Sequence, residues 1–310
     1  MSLVAATGDI QLKSVLIATD FSEASEKALR HALAVARHYE AKFYLAHVVS
    51  SSSFTLVGPE AVAAATDAAY RDIRQLEEQL VQSGALAGLR HEIIVRQGKV
   101  WEELENVVSQ KHIEMVVIGT HARRGFGKLL LGSVAEHIFR HSDCLVLTVG
   151  PGCLQDSPID GSRAVRPFLF ATDFSEPSLR ALPYAISSAN HFQTKLVLLN
   201  VLPSVPMPEA PNRPTAGDVM QARDQARRSS LQRLQQLTSQ NPKLAAQPEF
   251  IVEFGSPSEQ ILQVADTLKV DVVILGLHRS RHIDTKSHMP WATAYEVVCG
   301  AGCAVLTVRD

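Results

Sequence analysis

The sequence predicts an α/β protein built as two tandem doubly wound parallel sheets, each of five strands in the order 3-2-1-4-5. Three observations predict it. The chain has 310 residues, long for one compact core and suited to two of ordinary size. It carries an internal duplication that is colinear from end to end. Each copy alternates short Val/Ile/Leu runs with long helical patterns, which is how βαβ units around a parallel sheet are written. Right-handed crossovers between successive strands then give an open sheet whose order reverses beside strand 1.

The duplication is read directly. "IATDFSE" at Ile17 recurs as "FATDFSE" at Phe170, and "LAHVV" (Leu45 to Val49) matches "LLNVL" (Leu198 to Leu202). "IIVRQG", ending at Gly98, matches "FIVEFG", ending at Gly255. "EMVVIGTH" from Glu114 matches "DVVILGLH" from Asp271, and "CLVLTV" from Cys144 matches "CAVLTV" from Cys303. The domains are therefore expected over residues 1–150 and 165–310. Between them, "PGCLQDSPIDGSRA" (151–164) has the Pro, Gly, Ser and Asp content of a linker.

In the first copy the apolar runs place strands near Ser14 to Asp20, Lys42 to Val49, His91 to Arg96, Glu114 to Gly119 and Cys144 to Val149. The first gap reads as a helix, because Ala28, Leu29, Ala32, Leu33, Val35 and Ala36 recur on one helical face and Ser22 stands where an N-cap belongs. Further helices are expected near Glu60 to Ser83, Val100 to Lys111 and Leu130 to His141. In the second copy the Pro-rich stretch from Pro203 to Gly217 reads as a long loop after strand 2.

Composition excludes several function classes. Apolar residues make up 46% and charged residues 20% of the chain, ordinary soluble globular usage with no general case for disorder. A net charge of -2 supplies no basic surface for nucleic acid. There is no run of some eighteen apolar residues to span a membrane and no basic, apolar leader at the N-terminus, so a cytoplasmic location is expected. Four cysteines, Cys144, Cys153, Cys299 and Cys303, read as reduced thiols rather than a disulfide framework.

Ligands of open α/β sheets bind outside the carboxyl ends of the strands, where strand order reverses. Here those ends are Ala18, Thr19 and Asp20 after strand 1 and "GTHARRGFGKLLLGSVAEHI", from Gly119 to Ile138, after strand 4. Gly119 and Gly132 would let a ligand approach the backbone, and Ser133 with the free N–H groups of the helix it opens suits a phosphate. Arg123, Arg124 and Lys128 would add positive charge, while Asp20 would meet a ribose hydroxyl or a magnesium ion on the phosphates. The plainer alternative has Gly119 ending a strand, Gly125 and Gly127 making turns and Asp20 capping the first helix. Generic nucleotide motifs do not fit: Leu129 follows Lys128 where a P-loop needs Ser or Thr, and Leu130 breaks G-x-G-x-x-G.

"IATDFSEASEKAL", "AHVV" and above all the segment from Gly119 to Ser133 resemble the universal stress protein family in its tandem form. Nucleotide-binding members of that family carry G-x-x-G-x9-G-[ST] after strand 4. This chain has the spacing, with Ala122 in place of the second glycine before Gly132 and Ser133. The resemblance implies the adenine nucleotide alpha hydrolase-like fold and an ATP-binding regulatory module of the stress response, with magnesium accompanying the nucleotide. It implies that Thr19 and Asp20 contact ribose and phosphates or their metal, and that Val48 offers its backbone to adenine. Ile118 and Gly119 would border the nucleoside, while Ala122, Gly132, Ser133 and Val134 would cradle the phosphates. No residue stands out as a general base, so a slow magnesium-dependent ATPase or phosphotransferase is the enzymatic alternative. An interaction protein that has lost nucleotide binding is the other.

The second copy reads as degenerate: Trp291 and Ala292 stand where the first has Gly132 and Ser133, so nucleotide is expected in the first domain alone. A loop with His278, His282, Asp284 and His288 reads as polar rather than as a zinc site, and His137 and His141 as a solvated helix face. The last strands are apolar edges, which invite pairing. In the family this strand mediates dimerisation, so the two copies are expected to pair through it within one chain, with homodimerisation as a further option.

Overall fold

The structure, a computed structural model, describes residues 10–50, 59–120, 131–153, 164–204, 215–239, 244, 246–277 and 292–309. The chain divides into two compact units, one over Gln11–Ala164 and the other from Val165 onward, joined by Ile10.

The first unit runs β1 (Ser14–Ala18), α1 (Glu23–His38), β2 (Lys42–Ser50), α2 (Pro59–Gln82), β3 (His91–Gly98), α3 (Val100–Lys111), β4 (Met115–Gly119), α4 (Ser133–His141) and β5 (Leu145–Val149). All its pairings are parallel: β3 with β2, β2 with β1, β1 with β4 and β4 with β5. The order is therefore 3-2-1-4-5, and the reversal lies between β1 and β4. Leu16 and Ile17 on adjacent positions of β1 are both fully buried. A strand covered by helices on both faces must be apolar on both, so it reads as a continuous run rather than an alternation.

Against this sheet α1 lays the face formed by Ala28, Leu29, Ala32, Leu33, Val35 and Ala36, all buried. Each large aliphatic side chain hidden this way contributes about 1.5–3 kcal/mol. The first turn of α1 lies so close to the end of β4 that a Cβ on Gly119 would overlap the backbone of Ala24 and come within 2.8 Å of the Ser25 nitrogen. The glycine read from sequence as a ligand's point of approach is thus required by helix–strand packing.

The second unit repeats the order with β6 (Phe168–Ala171), α5 (Glu176–Arg180), α6 (Leu182–His191), β7 (Leu196–Leu202), α7 (Ala216–Ser239), β8 (Glu249–Phe254), α8 (Pro257–Thr267), β9 (Val272–Leu277), α9 (Ala292–Gly300) and β10 (Ala304–Arg309). Parallel pairings of β8 with β7, β7 with β6, β6 with β9 and β9 with β10 restore 3-2-1-4-5. The element matching α1 is divided at Ala181, because Pro183 in the first turn of α6 has no N–H to continue a regular helix. Gly276 repeats the role of Gly119: a Cβ there would overlap the backbone of Pro177 and Ser178.

The helix expected from Leu130 begins at Ser133. Gly132 has φ -62° and ψ 152°, an extended conformation that makes it the N-cap. Ser133, Val134 and Ala135 consequently form the first turn, whose N–H groups have no partner within the helix.

Candidate functional site

The repeated hexapeptide builds the same turn twice. After β1, Asp20 Oδ1 accepts from the Ser22 amide (3.1 Å) and the Ser22 hydroxyl, while Ser22 Oγ accepts from the Ser25 amide as the N-cap of α1. Thr19 Oγ1 accepts from the Phe21 amide at 3.0 Å and lies 3.1 Å from Ser25 Oγ. The second copy repeats each contact through Asp173, Ser175, Thr172, Phe174 and Ser178. The chain turns on a left-handed phenylalanine in both, Phe21 at φ 60° and Phe174 at φ 63°. A side chain in that region costs on the order of 1–2 kcal/mol, which the side-chain hydrogen bonds on either side offset.

The turn lies beside a cavity of about 280 Å³ at the carboxyl ends of the strands of the first unit. Ala18, Thr19 and Asp20 line it from β1, Val48 from β2, and Ile118 and Gly119 from β4. Gly132, Ser133 and Val134 close it from the start of α4. All the described residues named from sequence are therefore brought together; Ala122 and Arg123, with Arg124, Gly125, Gly127 and Lys128, lie outside the described residues. No atom stands within 4 Å of the position a Cβ on Gly132 would take. Unlike Gly119, Gly132 borders open space.

Strand geometry accounts for Val48. The Thr19 amide donates to the Ala46 carbonyl at 2.9 Å, so Ala46 directs its backbone groups toward β1. Strand backbones alternate with period two, and Val48 directs its groups the same way, beyond the end of β1.

Several lining residues were not anticipated: Ser25, His47, Val100, Leu104 and Ala135. His47 Nδ1 lies 2.8 Å from the Thr19 carbonyl oxygen, and its ring packs on Phe21 with centroids 4.7 Å apart. The duplication contained the signal, since Asn200 occupies the matching position. Asn200 Nδ2 donates to the Thr172 carbonyl at 2.7 Å, and Ser230 donates to its Oδ1 at 2.7 Å. Two different polar side chains thus tie the second strand of each copy to the end of the first. Val100 and Leu104 are ordinary apolar positions of α3 and carried no such signal.

The second unit has a cavity of about 330 Å³ at the equivalent place, lined by Thr172, Asp173, Ser178, Gly276 and the start of α9 at Thr293 and Ala294. Partial burial of Asp173 opposes its charge. Hydrogen bonds from the Ser175 hydroxyl and amide and from Ser178 outweigh that and hold its carboxyl below the usual range. The stability so gained is fully present above the unfolded-state value near pH 4 and is lost as pH falls through the lower folded value. Calorimetric melting of Asp173→Ala should show a deficit against wild type at pH 7 that closes from about pH 5 downward.

Other groups singled out from sequence resolve as follows. The rings of His137 and His141 stack at 4.3 Å, and His137 Nε2 lies 3.2 Å from Glu105 Oε1. Among the described residues no set of three or more His, Cys, Asp and Glu side chains could hold a metal ion. His278, His282, Asp284, His288 and Trp291 lie outside the described residues, as do residues 154–163 of the linker and 205–214 of the Pro-rich stretch. All four cysteines are free. No helix among the described residues is long and apolar enough to cross a membrane.

The sequence profile of the universal stress protein family matches twice, over residues 11–150 and 164–309. The universal stress protein MJ0531 of Methanocaldococcus jannaschii is 28% identical over 150 residues, covering 46% of this chain and 84% of that protein. YxiE, a universal stress protein of Bacillus subtilis, is 27% identical over 143 residues, covering 44% of this chain and 97% of its own length. The crystal structure of a universal stress protein from Archaeoglobus fulgidus has a TM-score of 0.68 at 17% identity, covering 97% of this chain and 99% of that one. At that identity the likeness concerns the fold.

Proposed function

Because the chain belongs to the universal stress protein family, we propose that its first half is an ATP-binding module and that the whole acts as a regulatory binder rather than an enzyme. One observation carries the reading. The first turn of α4, headed by the open Gly132, and the carboxylate of Asp20 line a single cavity at the switch point of the first sheet. A helix N-terminus with free N–H groups favours phosphate oxygens, and a carboxylate in the same cavity suits a ribose hydroxyl or a cation.

In this reading Gly132, Ser133 and Val134 hold the phosphates through backbone N–H groups and the Ser133 hydroxyl, with Ala122 and Arg123 assigned to the same end. Val48 offers adenine its backbone groups, and Ile118 with Gly119 borders the nucleoside. Asp20 serves the ribose or the magnesium ion that accompanies ATP and neutralises its phosphates. Its Oδ1 already accepts from Ser22, but a carboxylate has about four lone-pair sites, so capacity for a ligand remains. The second half, with Ala292 in place of a serine and Trp291 before it, takes no ATP in this manner.

Calorimetric titration of the full chain with ATP and magnesium tests the reading, and one nucleotide per chain is expected. No binding at millimolar nucleotide would leave an interaction protein that has lost the ligand. Turnover well above background, abolished by Asp20→Ala, would instead make the first half a slow ATPase or phosphotransferase.

A further inference from the structure

The second unit lost its phosphate end and kept its cavity. That cavity is no smaller than the first, about 330 against 280 Å³. The duplication relates the two walls position by position. Thr172, Asp173 and Ser178 stand for Thr19, Asp20 and Ser25, Val201 for Val48, and Gly276 for Gly119. The end that would meet ribose and base is therefore preserved in kind, and Asp173 is fixed through Oδ1 by Ser175 just as Asp20 is by Ser22.

What changed lies elsewhere. Ala292, heading α9, replaces Ser133, so the hydroxyl donor is gone. Leu199 replaces Ala46, and Ile261, Leu275 and Leu277 complete an aliphatic wall. An ionised phosphate brought against such a wall without its donors loses hydration that nothing restores, whereas an uncharged ring system does not. The volume is at the lower end of small-molecule pockets, about 300–1,000 Å³, the scale of a nucleoside.

We infer that the second unit carries a distinct binding site for an uncharged nucleoside, whose base packs on the aliphatic wall and whose ribose hydroxyls donate to Asp173. This rests on the proposed ribose role of Asp20, carried to its duplicate. The two halves would then read two forms of one metabolite class, phosphorylated in the first and unphosphorylated in the second.

Adenosine is the probe, titrated into the full chain alongside ATP. Wild type is expected to bind two adenosines and one ATP per chain. Val201→Trp, which fills the second cavity from β7, is expected to reduce adenosine to one and leave ATP at one. Thr293→Trp, on the partly exposed first turn of α9, should do the same and serves if the strand variant folds poorly. A second adenosine that survives both substitutions, a single adenosine in wild type unaffected by either, or two ATP per chain would overturn the inference. Failure of the first-half reading looks different: ATP would not bind at all, while one adenosine would still bind and be lost in Val201→Trp.

Discussion

Gly132→Trp should weaken ATP binding on the order of 100-fold while changing stability by less than about 0.5 kcal/mol. The two halves of that expectation have separate causes. Nothing in the protein stands within 4 Å of the added Cβ, and the φ of -62° is open to every residue. Replacing glycine at an N-cap by another residue changes stability by only a few tenths of a kcal/mol, so the fold has no reason to respond. The indole would instead occupy the space in which phosphate meets the first turn of α4. Hydrogen bonds to a charged group contribute about 1.5–3 kcal/mol each, and losing one or two gives the stated factor at 1.4 kcal/mol per tenfold. Calorimetry with ATP and urea unfolding of the same preparation measure both quantities. Unaltered ATP affinity would remove α4 from the site and with it the proposed function.

Gly119→Ala should do the reverse, destabilising the first unit by about 3 kcal/mol and acting on ligand binding only through the fold. An ordinary over-packed core yields by moving side chains and loses about 1–3 kcal/mol. Here the added methyl would meet backbone, the Ala24 peptide in the first turn of α1, which cannot rotate away. The Gly276→Ala change meets the backbone of Pro177 and Ser178 and should destabilise the second unit similarly. For units of this size the melting temperature should fall by on the order of 10 °C. Scanning calorimetry is the right measurement, since a two-unit chain need not unfold in one step and each variant should depress its own unit's transition. A Gly119→Ala protein that melts like wild type yet fails to bind ATP would return the glycine to the ligand.

These two glycines show where sequence reasoning succeeds and where it stops. Both stand in the motif spacing that resembles the family's phosphate loop, and the spacing treats them alike. Three-dimensional neighbours separate them: Gly119 is pressed by a helix 95 positions earlier in the chain, from Ala24, and Gly132 by nothing. The persistence of glycine at 276, in a copy whose phosphate end is gone, was already a hint that packing required it. His47 was missed for a related reason. A lone histidine in a strand carries no motif, and only its alignment with Asn200 and the two carbonyl contacts reveal a shared task.

The sequence by itself determined the duplication, the parallel 3-2-1-4-5 order of each half, and the gathering of Asp20, Gly119 and Ser133 at one switch point. Those follow from local periodicity and from the handedness of βαβ crossovers, which the order of elements along the chain already specifies. Only the tertiary structure decided that Gly119 answers to packing and Gly132 to open space, and that the second half keeps a cavity after losing its phosphate donors. Void and contact depend on which distant backbone comes within a few ångströms, and no pattern of neighbours along the chain encodes that distance.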